Sequence, residues 1–289
     1  MIEVGRFEVF SVVTGSIRLD GGAMFGVVPR VLWQGTEDVD GMNRILLVTR
    51  TLVAVDREAG RVMLADTGVG NKWRPNEARR YAVEDRPEAL EDALRKHGLS
   101  AGDVTDVVIT HAHFDHCGGL TEWKAEPGGE VRVRYPGARH WVHEKHWQHA
   151  VSPHERDCAS FMARDFSILE DEGVLEKVRG DAPDAPMEGI SWFLSHGHTP
   201  CLLLPLIEDP DAPLLFTGDM IPTSTHLPPL WVMAYDLEPL VTIEEKKKVL
   251  GMCRSGLILA FPHDRRMGGC IVNATGKGPR VETPLDLDP

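Results

Sequence analysis

DVVITHAHFDHCGG, residues 106–119, runs from an apolar segment directly into four potential metal ligands within six residues: His111, His113, Asp115 and His116. The short apolar run DVVIT (106–110) predicts a strand buried on both faces. In an extended segment residues 111, 113 and 115 project to one side, and a turn beginning at Asp115 swings His116 toward the same place. Such a cluster can hold two ions. Imidazole and carboxylate together favour zinc or another borderline divalent metal over calcium or magnesium, which prefer oxygen.

Three further segments end in the same way, each an apolar strand delivering a ligand type. SWFLSHGHT (191–199) delivers His198, PLLFTGD (213–219) delivers Asp219, and LILAFPHD (257–264) delivers His263. Open sheets place ligands beyond strand ends, so all four segments can converge on one site.

The rest of the chain supplies layers to support that site. FEVFSVV (7–13), ILLVTRTLVAVD (45–56) and RVMLAD (61–66) read as antiparallel strands. PEALEDALRKH (87–97) opens with Pro87, carries acids early and bases late, and is followed by Gly98, which predicts a helix. Helical patterning returns around 143–150, 158–178 and 242–254, between strands at 191–195, 201–207, 213–218 and 257–261. The alternation predicts two sheets face to face with helices outside, in one domain spanning 1–289. Residues 124–138 and 180–188 read as surface loops, and 278–289 as a loosely held acidic tail.

With 289 residues the chain buries a full core without staples. Its 42% hydrophobic and 26% charged composition excludes disordered, collagenous and coiled-coil classes. A formal net charge of −13 repels polyanions, which argues against a nucleic-acid partner. No apolar run approaches the ~20 residues needed to span a bilayer, and Glu3 and Arg6 interrupt the start, so neither a membrane partner nor export is expected and the location expected is cytoplasmic. Five scattered cysteines suit reduced thiols.

HAHFDH (111–116), GHTP (197–200), TGD (217–219) and PHD (262–264), in that order, resemble the metallo-β-lactamase-fold superfamily of metallohydrolases. The resemblance implies an α/β (α+β) fold, the αββα sandwich of two mixed sheets with helices outside. It implies that His111, His113 and His198 hold one metal, that Asp115, His116 and His263 hold a second, and that Asp219 bridges them. Asp66, in LADTG (64–68), matches the early acidic motif and would orient a ligand histidine. The cofactor implied is a pair of divalent ions, zinc first, with manganese, iron or cobalt open. Two such ions ~3.5–4 Å apart lower the pKa of a shared water toward 7, so a bridging hydroxide is the expected nucleophile. Asp115 and Asp219 are then the catalytic carboxylates, Asp115 passing a proton to the leaving group.

Departures narrow the resemblance. Asp219 and the lack of an apolar leader set class B β-lactamases aside, and His113 stands where flavodiiron proteins have Glu. RNA-processing branches carry an inserted domain and basic surfaces. Only 26 residues follow His263, too few for the glutathione-binding region of glyoxalase II. GGAMFGVVPRVLW (21–33) and GDMIPTSTHLPPLWVMAYDLEPL (218–240) are similar to quorum-quenching N-acyl homoserine lactonase-like and methyl parathion hydrolase-like proteins. The function implied is hydrolysis of a carboxylic ester, a lactone first. The alternatives are a phosphotriesterase or arylesterase, and a non-catalytic metal sensor or scaffold. The best-known lactonases place a Tyr three residues after the bridging Asp. Here that residue is Pro222, leaving Tyr235 or His226 to supply a similar group. In GHTPC, Cys201 departs from the common run and leaves His198 intact.

Met24, Phe25, Trp73, Tyr81, His226 and Tyr235 are the candidate substrate-pocket residues, for an acyl or aryl group. HWVHEKHWQHAVSPH (140–154) holds five histidines whose spacing drifts around a helix, so it reads as a solvated face rather than a metal site, with Trp141 and Trp147 as packing anchors. EEKKKVL (244–250) likewise reads as a solvated helix face, and Cys117 as a buried thiol. The 24–33 segment leaves a homodimer open.

Overall fold

In β3 (Arg44–Asp56) Leu52 and Ala54 alternate with Val53 and Val55, and all four are buried. Side chains alternate across a strand, so this strand has protein on both faces. Leu52 and Ala54 join a core with the second sheet, while Val53 and Val55 join Leu90, Ala93 and Leu94 of the helix Ala89–Lys96.

The computed structural model describes residues 1–181, 184–275 and 278–289. The first sheet begins with β1 (Ile2–Val4), β2 (Phe7–Asp20), β3, β4 (Arg61–Ala65), β5 (Glu84–Asp85) and β6 (Asp106–Val108). β7 (Thr121–Trp123) and β8 (Val131–Val133) form a separate hairpin, after which β9 (Arg139–His143) and β10 (Leu175–Val178) complete the first sheet. Its order is β1-β2-β3-β4-β6-β9-β10, with β5 on β2. The first strands pair antiparallel, whereas β4, β6, β9 and β10 run parallel. The second sheet takes β11 (Ile190–Ser195), β12 (Leu202–Ile207), β13 (Leu214–Phe216), β14 (Ile258–Ala260), β15 (Gly269–Asn273) and β16 (Arg280–Leu285) in sequence order, parallel only between β13 and β14.

Met63, Ala65 and Val108 of the first sheet meet Leu203, Leu214, Phe216 and Ala260 of the second. The outer face of the second sheet, with Leu204, Leu215 and Leu259, is covered by Val249 and Leu250 of the helix Pro239–Cys253. The layers are helix, sheet, sheet, helix, the αββα sandwich. Among the described residues no helix is long and apolar enough to cross a membrane. All five cysteines are free thiols, Cys117 among the buried ones.

Four local expectations are corrected. Residues 278–289 are not a loose tail: β16 pairs with β15, Leu287 is buried, and the Ser11 amide donates to its carbonyl at 2.7 Å. Within 124–138, β8 pairs with β7. The helix expected over 158–178 breaks into short helical turns and ends as β10, whose strand pattern is masked by the charges of Glu176 and Lys177. EEKKKVL is not wholly solvated, because Glu245 and Lys246 are buried. The loop expected over 180–188 includes residues 182 and 183, which lie outside the described residues.

Candidate metal centre

Each strand that the sequence pairs with a ligand ends at the same edge of the sandwich. β6 leads to His111, His113, Asp115 and His116, β11 to His198, β13 to Asp219 and β14 to His263. Ring nitrogens and carboxylate oxygens of these seven buried residues form three overlapping groups, each with its atoms within 4.8 Å of one another: His111–His113–His198, His111–His116–Asp219 and Asp115–His116–His263.

Asp219 divides its two oxygens between the halves of this cluster. Oδ2 faces Nε2 of His198 at 3.4 Å and of His111 at 3.9 Å. Oδ1 faces Nε2 of His263 at 3.1 Å and of His116 at 3.2 Å. Asp115 Oδ2 stands 3.5 Å from His263 Nε2 and 3.9 Å from His116 Nε2.

The opposite sides of the rings fix which nitrogen is free. His116 Nδ1 donates to Asp66 Oδ2 at 2.7 Å, His198 Nδ1 to Asp236 Oδ1 at 3.0 Å, and His263 Nδ1 to the Val48 carbonyl at 2.8 Å. A neutral imidazole has one N–H and one lone pair, so these bonds leave Nε2 as the lone-pair nitrogen on all three. His116 and His263 nevertheless place their Nε2 atoms 3.0 Å apart, and His198 Nε2 lies 3.2 Å from His113 Nδ1. Lone pairs brought this close repel unless a proton or cation lies between them. His111 Nε2 and Asp219 Oδ1 are buried without a hydrogen-bond partner, an arrangement that costs free energy in a closed protein interior. Burial, reinforced by neighbouring histidines, holds the pKa of His111 and His113 well below the usual 6.5, which keeps their lone pairs available at neutral pH. A proton can take the place between such lone pairs: although burial opposes it, Asp219, Asp66 and Asp115 raise the pKa of His116 well above the usual 6.5, and against its own burial Asp219 is held well below the usual carboxylate range by protonated His116 and His263. The donor set fits divalent cations.

Asp66 reaches this position through the loop after β4. Its φ of 59° is left-handed, and its carboxylate also accepts from the Thr110 amide and hydroxyl, both at 2.9 Å. The loops at 67–70 and 116–119 cross without room for side chains. A Cβ on Gly70, itself at φ +58°, would meet the Gly118 carbonyl oxygen at 2.0 Å. Glycine is therefore required where these backbones touch.

Asp236 was not among the sequence candidates, since an acid in YDLEPL (235–240) has no distinguishing spacing. The buried pair Glu245 and Lys246 also escaped. Glu245 accepts from Ser195 Oγ at 2.6 Å and the His196 amide at 2.9 Å, fixing the turn before His198. Lys246 donates to the Pro228 and Trp231 carbonyls at 2.9 and 2.7 Å, fixing the segment before Asp236.

A cavity of about 410 Å³ opens onto His113, Asp115, His198, Asp219 and His263. Met24, Tyr81 and Tyr235 line it, together with Leu19, Leu47, Phe114 and Met233. Three pocket candidates lie elsewhere. Phe25 is buried, stacked between Trp33 and His226 at centroid distances of 4.9 and 4.6 Å. His226 bonds Thr223 Oγ1 and the Met24 carbonyl, both at 2.8 Å, and burial pushes its pKa down to about 3. Trp73 is outside the lining and packs edge-on against Phe114 at 5.3 Å.

The 140–154 histidines are also corrected. His140, His143 and His146 are buried, not solvated. His146 Nε2 accepts from the Ala112 amide at 2.8 Å and its Nδ1 bonds the Pro200 carbonyl at 3.0 Å, so it ties together the loops carrying His113 and His198. Trp147 is buried and Trp141 partly so, both in packing clusters.

The chain belongs to the metallo-beta-lactamase superfamily, whose family profile matches residues 48–254. An N-acyl homoserine lactonase, AttM, from Rhizobium radiobacter is 26% identical over 152 residues, covering 50% of this chain and 52% of the relative. The chain thus matches about half the length of that relative. A probable metal-dependent hydrolase from Staphylococcus aureus has a crystal structure that superposes with a TM-score of 0.86 at 26% identity, covering 98% of both chains. AidC, a dizinc quorum-quenching lactonase, has the same fold, with a TM-score of 0.78 at 18% identity over 98% of this chain and 96% of its own.

Proposed function

We propose that this protein is a dinuclear metal-dependent hydrolase of carboxylic esters, with a lactone of the N-acyl homoserine type as its preferred substrate. His111, His113 and His198 would hold one ion, Asp115, His116 and His263 the other, and Asp219 both. Zinc is the first candidate by ligand chemistry. Bound divalent ions supply Lewis acidity toward a carbonyl oxygen and make water a nucleophile near neutral pH. The observation that carries the reading is the opening of five of the seven clustered residues, His113, Asp115, His198, Asp219 and His263, into a largely apolar cavity large enough for an acyl chain.

The chain's own residues have separable tasks in this reading. Asp66, Asp236 and the Val48 carbonyl hold three rings in the tautomer whose Nε2 is free. Leu19, Met24, Leu47 and Met233 exclude water from the acyl portion. Asp115 Oδ2 carries a proton toward the leaving alkoxide. Tyr235, at the exposed rim of that cavity, is a protonated phenol at neutral pH and donates a hydrogen bond to the carbonyl oxygen. His226 drops out of that role because both ring nitrogens are engaged.

The test is a parallel assay of N-hexanoyl homoserine lactone, a paraoxon-type triester, an aryl ester and a thioester, on protein whose metal content is measured. A kcat/KM for the lactone above the others by tenfold or more is the expected result. A triester in first place moves the assignment to a phosphotriesterase. No turnover on any ester after loading with zinc, manganese or iron overturns the enzyme reading in favour of a sensor or scaffold.

A further inference from the structure

A second cavity, of about 580 Å³, shares a wall with the catalytic one: Trp73 lines the former, Phe114 the latter, and their rings pack edge to face. Its lining carries four cations, Lys72, Arg74, Lys124 and Arg164, against a single acid, Glu130, in a chain whose net charge is −13. Two of these cations have structural partners. Lys72 is buried, donates to the Gly118 and Thr121 carbonyls and pairs with Asp165, while Lys124 pairs with exposed Glu130 at 3.0 Å.

The other two have unused donors. Arg164 gives Nη2 to Glu77 at 2.8 Å and keeps 23% of its side chain exposed on the cleft. Glu77 also accepts from the backbone amide of Arg74, and among the described residues no carboxylate lies within ion-pair distance of the Arg74 guanidinium. The half-buried indoles of Trp73 and Trp123 supply aromatic surface beside these donors. Trp73 is held in place by its Nε1, which donates to the Val69 and Gly70 carbonyls at 3.0 and 3.1 Å.

We propose that this cleft is a binding site for a small anion carrying a planar aromatic ring. The guanidiniums of Arg74 and Arg164 take its charged oxygens, and Trp73 and Trp123 take its ring. Guanidinium groups suit planar oxyanions, indoles suit flat apolar faces, and the volume is within the range of small-ligand sites. The site is separate from the ester-hydrolysing centre and does not depend on that centre's substrate.

Calorimetric titration of the metal-loaded protein with 2-naphthoate tests this, with 2-naphthylmethanol and inorganic phosphate as controls matched in ring and in charge. Naphthoate is expected to bind, with both controls weaker by about tenfold or more. Arg74→Gln, Arg164→Gln and Trp123→Ala should each weaken naphthoate by about tenfold while leaving ester hydrolysis at its wild-type rate. Should Arg164→Gln fail to fold for want of its Glu77 pair, the other two variants still decide. Wild-type affinity in those variants places naphthoate elsewhere, such as at the catalytic cations, and overturns the proposal. So does equal binding of the alcohol, or no binding at millimolar probe.

Discussion

Two stretches of this chain are rich in histidine, with three in 111–116 and five in 140–154, and they do opposite things. In 111–116 the outer nitrogens of His111 and His116 are tied to Thr110 and Asp66, and their inner nitrogens converge on Asp219. In 140–154 the rings are used as hydrogen-bonding struts: His143 between Gly180 and Lys145, His146 between Ala112 and Pro200, His149 on Asp157. The contrast teaches that histidine density does not make a metal site. What makes one is a set of acceptors outside the cluster that leaves the inward nitrogen without a proton.

The strongest way to break this comparison is to remove the carboxylate on which the first stretch converges and one histidine of the second, and count metal. Asp219→Ala, at the centre of the first, should lower kcat/KM by more than the roughly 10–100-fold typical of losing an outer partner, with fewer than two ions retained by elemental analysis. His146→Gln, in the second, should keep both ions. Retention of two ions and full activity by Asp219→Ala would remove the basis for the proposed bridge.

Asp236→Asn probes the outer acceptors themselves. Without a carboxylate on Nδ1, His198 loses its orientation and basicity, and metal affinity should drop roughly 10–100-fold while the circular dichroism spectrum is unchanged. A smaller effect is expected at His140, which belongs to the strut group. Burial pushes its pKa down to about 4 from an ordinary 6.5. Between those values the unfolded chain binds the additional proton, so its contribution is complete above pH 6.5 and is lost as the pH falls toward 4, by up to about 1.4 kcal/mol per pH unit. In urea denaturation at about pH 7 and about pH 5, His140→Gln should show a shallower loss than wild type. The smallest change is expected for Tyr235→Phe, which removes one neutral hydrogen bond and should cost roughly 3–10-fold in kcat with metal content intact.

The fold was legible where one physical rule acted alone. Apolar strands covered on both faces, such as DVVIT and LILAF, announce themselves because burial excludes polar residues from both sides. β10 and β16 were not legible, because LEKV (175–178) and RVETPL (280–285) stand at or near sheet edges, where exposure admits charges and proline. The site divides in the same way. Four of the seven clustered residues stand together within 111–116, and strand ends with the motif resemblance pick out the other three, whereas Asp236, Glu245 and Lys246 resemble any surface charges until their neighbours are known. Pocket residues were the least legible, since Phe25 and Tyr235 are both aromatic, yet one is stacked inside and the other faces the cavity.

The sequence by itself determined the ligand types, their order and the strands that deliver them, because strand ends and donor chemistry are local properties written within a few residues. Only the tertiary structure decided which nitrogen of each ring is free, which carboxylate stands behind it and which aromatic residues face the cavity. Those depend on contacts between segments tens to hundreds of residues apart, as when the Val48 carbonyl accepts a hydrogen bond from His263 Nδ1, and no local pattern records them.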